Sequence, residues 1–99
     1  MNFTTALAKL AALGNDKVRA RNVKRGAGAA PQFGVQLGDI RKVAKEAGAD
    51  HDLALELWAT RNLDARHLAI LLMDPKRLSS EELDVLVRDP GFVGVFDWL

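Results

Sequence analysis

Apolar residues recur at three- and four-residue spacing along almost the whole chain, and each run is cut short by glycine, proline or a small polar residue. Sustained apolar–polar alternation is absent, so the spacing predicts short helices and no strand. The first helix is expected from Thr4 or Thr5 to Leu13, burying Leu7, Leu10, Ala11 and Leu13, with Gly14 in the left-handed cap position. Asn15 or Asp16 caps a second helix, which carries Val18 to Arg25 and ends at Gly26. The segment GAGAAPQFG (26–34) has no period and reads as a loop. A third helix, Gln36 to Ala47, buries Leu37, Ile40, Val43 and Ala44 and stops at Gly48. Asp50 caps a fourth, His51 to Ala59, carrying Leu53, Leu57 and Trp58. Asn62 opens a fifth with a broad apolar face of Ala65, Leu68, Ala69 and Leu72, closed by Pro75. Ser79 and Glu82 fit a capping box for a sixth, which holds Leu83, Leu86 and Val87 and ends at Pro90. Turns this short make neighbouring helices antiparallel. Stacked pairs of such helices describe an all-α solenoid, although no repeat of fixed period is visible.

Chemistry is bounded by what the chain contains. At 99 residues it has room for one small domain, and 48% hydrophobic with 27% charged residues is the balance of a globular chain. It has no cysteine, which excludes a disulfide framework, a thiolate zinc site and a cysteine nucleophile. Its two histidines, His51 and His67, have no further ligand at useful spacing, so neither a metal nor a cofactor is expected. His51, at a helix start, is expected to face solvent. The longest apolar run, Leu68 to Met73, is too short to span a bilayer, and the N-terminus lacks a basic region and a cleavage pattern. A cytoplasmic protein away from membranes is the expectation. The closing GFVGVFDWL is apolar and uncapped, which reads as a chain cut at an element boundary.

Charge is unevenly spread. Residues 1–48 carry nine basic and three acidic groups, a balance of +6, whereas residues 49–99 carry five and ten, a balance of −5. Lys17, Arg19, Arg21, Lys24 and Arg25 fall within nine residues with no acid among them. On a helix Lys17, Arg21, Lys24 and Arg25 lie near one face, where phosphates could sit and release counterions. Arg41, Lys42 and Lys45 repeat the theme on the third helix. The same charges also fit an ordinary solvated helix face. Gly26, Gly28 and Gly34 either let backbone amides approach a phosphate or simply form turns. Trp58 and the Leu68–Leu72 face read as core, and Arg61, Asp64 and Arg66 as a local polar network around a helix start.

Three segments, VRARNVKRGAG (18–28), QFGVQLGDIRKVAKE (32–46) and DHDLALELWATRNLDARHLAILLMDP (50–75), together resemble the DNA alkylation repair family, the AlkD-like alkylpurine DNA glycosylases built of HEAT-like helical repeats. The resemblance covers roughly residues 10–99. It implies a HEAT-like α-solenoid, with residues 1–99 as one helical domain and the N-terminal part of a longer repeat domain. It also implies an enzyme that excises cationic alkylated purines, such as N7-alkylguanine and N3-alkyladenine, from duplex DNA held on a basic concave face. Asp97 matches the family aspartate that assists bond cleavage, and Val93 stands where family members place a tryptophan one turn earlier. The chemistry is economical. An alkylated base already carries the charge of a good leaving group, and a carboxylate stabilises the oxocarbenium-like sugar it leaves. Asp97 reads equally as a surface or capping carboxylate. Two alternatives stay open. One is a non-catalytic helical module that binds nucleic acid or protein. The other is self-association through Phe92, Val95, Phe96, Trp98 and Leu99.

Overall fold

A computed structural model describes residues 1–27 and 31–88. Every helix but one starts where a short polar side chain can satisfy its first amides. Helix α1 (Phe3–Ala12) is capped by Asn2, whose Oδ1 accepts from the Thr5 amide at 2.8 Å. Helix α2 (Asp16–Asn22) is capped by Asn15, and the chain then widens into a π-helical turn at Val23–Ala27. Helix α3 (Leu37–Ala47) begins at Gln36 with no side-chain cap and ends at Gly48, φ 70°. Helix α4 (His51–Ala59) is capped by Asp50, and α5 (Leu63–Leu72) by Asn62, which accepts from the Asp64 and Ala65 amides. A short 3₁₀ turn, Pro75–Arg77, leads to α6 (Ser80–Arg88), where the Ser79 hydroxyl accepts from the Glu82 amide at 3.0 Å.

Helix α5 is the axis of the packing. Its residues 63–69 and Leu72 are all buried, and Leu68, Ala65 and Ala69 are fully enclosed. Helix α4 runs antiparallel to it, since the Asp50 amide at the start of α4 donates to the Leu72 carbonyl at the end of α5. Ile40 and Val43 of α3 close one side; Ala6 and Leu10 of α1 and Leu53, Leu57 and Trp58 of α4 complete the core. A thickness of 19 Å is two layers of helices, and no strand occurs among the described residues.

Several expectations shift once these elements pack. Helix α1 starts at Phe3; Ala6 and Leu10 are its buried positions, Leu7 is partly buried, and Ala11 and Leu13 are exposed because the rest of the molecule packs on the other side. Gly14 is not in the left-handed region. It is small because a side chain there would come within 2.5 Å of the Phe33 carbonyl oxygen. His51, expected at the surface, is 5% exposed: the antiparallel seam puts its Nδ1 3.4 Å from the Asp74 amide and its Nε2 3.7 Å from Glu82. Helix α6 buries Leu86 but leaves Leu83 and Val87 about half exposed.

The turn between α4 and α5 holds Arg61 at φ 61°, a conformation in which a side chain crowds its own backbone. Its side chain is exposed, so nothing is lost from the core by removing it. Arg61→Gly should therefore raise stability by about 0.5–1 kcal/mol, read from the urea unfolding midpoint.

Candidate nucleic-acid interface

The basic end of the molecule is organised by an acid. Asp64 sits in the first turn of α5 and is fully buried, which a lone carboxylate tolerates only when donors surround it. Three consecutive amides supply them. The Phe33 and Gly34 amides donate to Oδ2 at 2.6 and 3.0 Å, and the Val35 amide to Oδ1 at 3.0 Å. Consecutive amides turn toward one anion only if the chain bends sharply, and Gly34 provides the bend at φ 80°. Of the two readings of Gly34, the turn is the one seen: its amide is taken by the protein's own carboxylate.

The same loop fastens α2. The Gly34 carbonyl accepts from the Asn15 amide at 3.0 Å, and the Phe33 carbonyl accepts from Arg19 Nη1 at 2.8 Å. Asn22 Nδ2 donates to Gln32 Oε1 at 2.9 Å, and the Pro31 carbonyl accepts from the Leu63 amide at 2.8 Å. Gly34 is pressed so closely on α2 that an added Cβ would lie 2.4 Å from the Arg19 side chain and 2.5 Å from the Asn15 carbonyl oxygen. Arg19, which also pairs with Asp16, is thereby a fastening of this loop.

With Val18 and Asn22 turned inward, Arg21 and Arg25 share the next strip of α2 and its π-helical turn. They form one wall of a cleft of about 320 Å³. Gln36, Leu37 and Gly38 at the start of α3 form the facing wall, and His67 of α5, 2% exposed, lies at its back. Burial pushes the His67 imidazole down from 6.5 to about 4; the Asp64 charge acts against this and the Arg25 charge adds to it. The imidazole is thus neutral at physiological pH.

Of the residues singled out for phosphate contact, the fold brings Arg21 and Arg25 together. Lys17 and Lys24 are exposed outside the cleft, and Arg41, Lys42 and Lys45 are exposed along α3, with Lys42 3.9 Å from Asp39. Asp97 and the apolar residues Phe92, Val95, Phe96, Trp98 and Leu99 lie outside the described residues. Trp58 is core, as expected, and Arg66 lies 4.2 Å over its ring while its Nε donates to the Trp58 carbonyl at 3.2 Å. Asp64, expected in a local polar network, instead anchors the loop at residues 33–35, and His67, given no role by the sequence, lies at the back of the cleft. The available signal was three polar groups, Asp64, Arg66 and His67, set among the apolar residues of one helix. No group of three His, Cys, Asp or Glu side chains fit to hold a metal occurs among the described residues, and no helix there is long and apolar enough to cross a membrane.

Asp64→Asn replaces one acceptor oxygen by an amide group facing a backbone N–H, and removes the charge that strengthens all three bonds. The expected cost is about 2–4 kcal/mol by chemical unfolding. His67 makes stability pH-dependent. Its folded value lies below that of the unfolded chain, so between pH 6.5 and 4 the unfolded state takes up the proton that the folded state refuses. Its contribution is intact above pH 6.5 and falls as the pH drops through 4, by roughly 3 kcal/mol in all. Urea midpoints measured from pH 7 to pH 4 should fall less steeply in His67→Gln than in the wild type.

Comparison with known proteins agrees with this architecture. A solved structure from a family related to the HEAT-like repeat DNA glycosylases, with affinity for branched DNA structures, superposes with a TM-score of 0.80 at 36% identity over 88% of this chain and 37% of its own. An uncharacterized protein of Listeria innocua serovar 6a is 28% identical over 54 residues, which are 52% of this chain and 24% of that protein. The chain thus spans little more than a third of the one and a quarter of the other. The sequence pattern of the DNA alkylation repair enzyme family matches residues 6–89, and the chain belongs to that family, with its HEAT-like all-α fold.

Proposed function

We propose that this protein grips DNA through its basic N-terminal half and serves the excision of cationic alkylated purines from the duplex. The observation that carries the reading is the cleft lined by Arg21 and Arg25, on helices that also expose Lys17, Lys24, Arg41, Lys42 and Lys45, in a fold shared with a family related to the HEAT-like repeat DNA glycosylases. Arg19 takes part indirectly, by holding α2 and the loop in register. Guanidinium forks suit phosphate oxygens, and their contacts release counterions from the duplex. In the excision step an N7-alkylguanine or N3-alkyladenine leaves as a neutral base. The carboxylate of Asp97 stabilises the positive charge that develops on the sugar and orients the water that quenches it. No covalent nucleophile and no metal are needed for this step.

A second reading has its own support. The relative that is 36% identical comes from a family with affinity for branched DNA, and Val93 replaces the tryptophan that AlkD-like enzymes place beside the catalytic aspartate. Under that reading the protein binds junctions or flaps and excises nothing.

Fluorescence titrations with linear, N7-methylated and branched duplexes at two salt concentrations, followed by base-release assays, separate the two. For the glycosylase, N7-methylguanine is released and Asp97→Asn abolishes release while leaving DNA affinity within about twofold. Tight, salt-sensitive binding of branched DNA with no base release establishes the second reading. On either reading, replacing Arg21, Lys24 and Arg25 together by alanine should weaken binding by about 10- to 100-fold at low salt and flatten the dependence of log K on log salt by two to three. Unchanged affinity in that variant would remove this surface from DNA recognition.

A further inference from the structure

We infer that this chain associates head to tail with a second copy of itself, the outer strip of α2 around Val23 seating in an apolar groove between α4 and α6. The groove encloses about 450 Å³. Trp58 and Leu86, both buried, form its floor, and Leu55 of α4 and Val85 of α6 stand as its walls, 37% and 69% exposed. The rest of its lining is Glu81 and Glu82 in the first turn of α6, with Glu82 also facing His51. An apolar hollow edged by carboxylates and lined by no cation suits an aliphatic side chain flanked by positive charge.

The chain carries such a group itself. Val23, 49% exposed, is the most exposed large apolar residue of the basic half. Ala20, one turn earlier, is exposed beside it, and Lys17 and Lys24 are exposed along the same outer side of the helix. None of these four residues lines the Arg21–Arg25 cleft, so the contact does not rest on the DNA reading. Mating two grooves face to face would set Glu81 and Glu82 against their own copies, which like charges oppose. The two mating surfaces therefore differ, and each copy keeps one open groove and one open strip for further copies. The balance of +6 over residues 1–48 and −5 over residues 49–99 favours the same head-to-tail order.

Sedimentation velocity of the whole chain, from micromolar to millimolar concentration, tests the contact. The weight-average mass should rise with concentration, and less steeply at high salt, because exposed charge pairs are screened. Val23→Gln and Val85→Gln each put an unpartnered amide into the apolar contact and should weaken association at least tenfold. Both side chains are about half exposed or more, so the urea midpoints of the variants should stay at the wild-type value. Mixing the two variants then leaves one intact strip facing one intact groove, and the expected product is a 1:1 complex that grows no further. A wild-type chain that stays monomeric throughout overturns the proposal. Association unchanged in either variant moves the contact to another surface and overturns it too. Loss in both variants with no recovery in the mixture identifies a symmetric contact, which equally rules out the head-to-tail one.

Discussion

One buried carboxylate decides the shape of the functional end of this molecule. Asp64 is the first acid of α5, and the collapse of α3 and α4 around that helix removes it from water entirely. An ionised group in that position is tolerated only with several donors, and the amides of Phe33, Gly34 and Val35 are the donors within reach. Aiming three successive amides at one anion forces the left-handed bend at Gly34, and the bend turns the carbonyls of Phe33 and Gly34 toward α2. Arg19 and Asn15 then close on those carbonyls. A helix distant in sequence from α5 is thus hung on it through the loop at residues 31–36.

The consequence is electrostatic as much as mechanical. With the Asp64 charge absorbed by backbone dipoles, the arginines on the neighbouring strip of α2 face the start of α3. Gln36 is the only helix-start residue among the described elements that provides no side-chain cap, and the wall it begins is the one opposite Arg21 and Arg25. His67 supports the arrangement from behind. Burial holds its imidazole neutral, so the core beneath the cleft carries no additional positive charge to desolvate.

Much of this could be read from local chemistry. Asp50, Asn62 and Ser79 begin the helices they were expected to begin, and Asn15 is the one of the two candidates, Asn15 and Asp16, that caps α2, because a short polar side chain at a helix start satisfies amides whatever the rest of the chain does. The apolar spacing likewise identified Ile40, Val43, Leu57 and Leu68 as core. The errors run both ways: Ala11, Leu13, Leu83 and Val87 are apolar yet exposed, while His51 and His67 are polar yet buried against a neighbouring helix, and a single helix's periodicity cannot show which of its sides has a neighbour. Arg19 looked like one more cation in a basic run, and its engagement depends on a carbonyl fourteen residues away.

The order of the helices, their ends, the concentration of positive charge in the first half and the kinship with DNA alkylation repair proteins are all written in short stretches of sequence, since caps, spacing and charge act within one or two helical turns. Tertiary packing decided which cations share a cleft, which carboxylate is hidden and which loop amides remain available to a ligand. Those outcomes depend on groups about thirty residues apart meeting in a water-free interior, where the demand for hydrogen-bond partners outweighs any local preference of the chain.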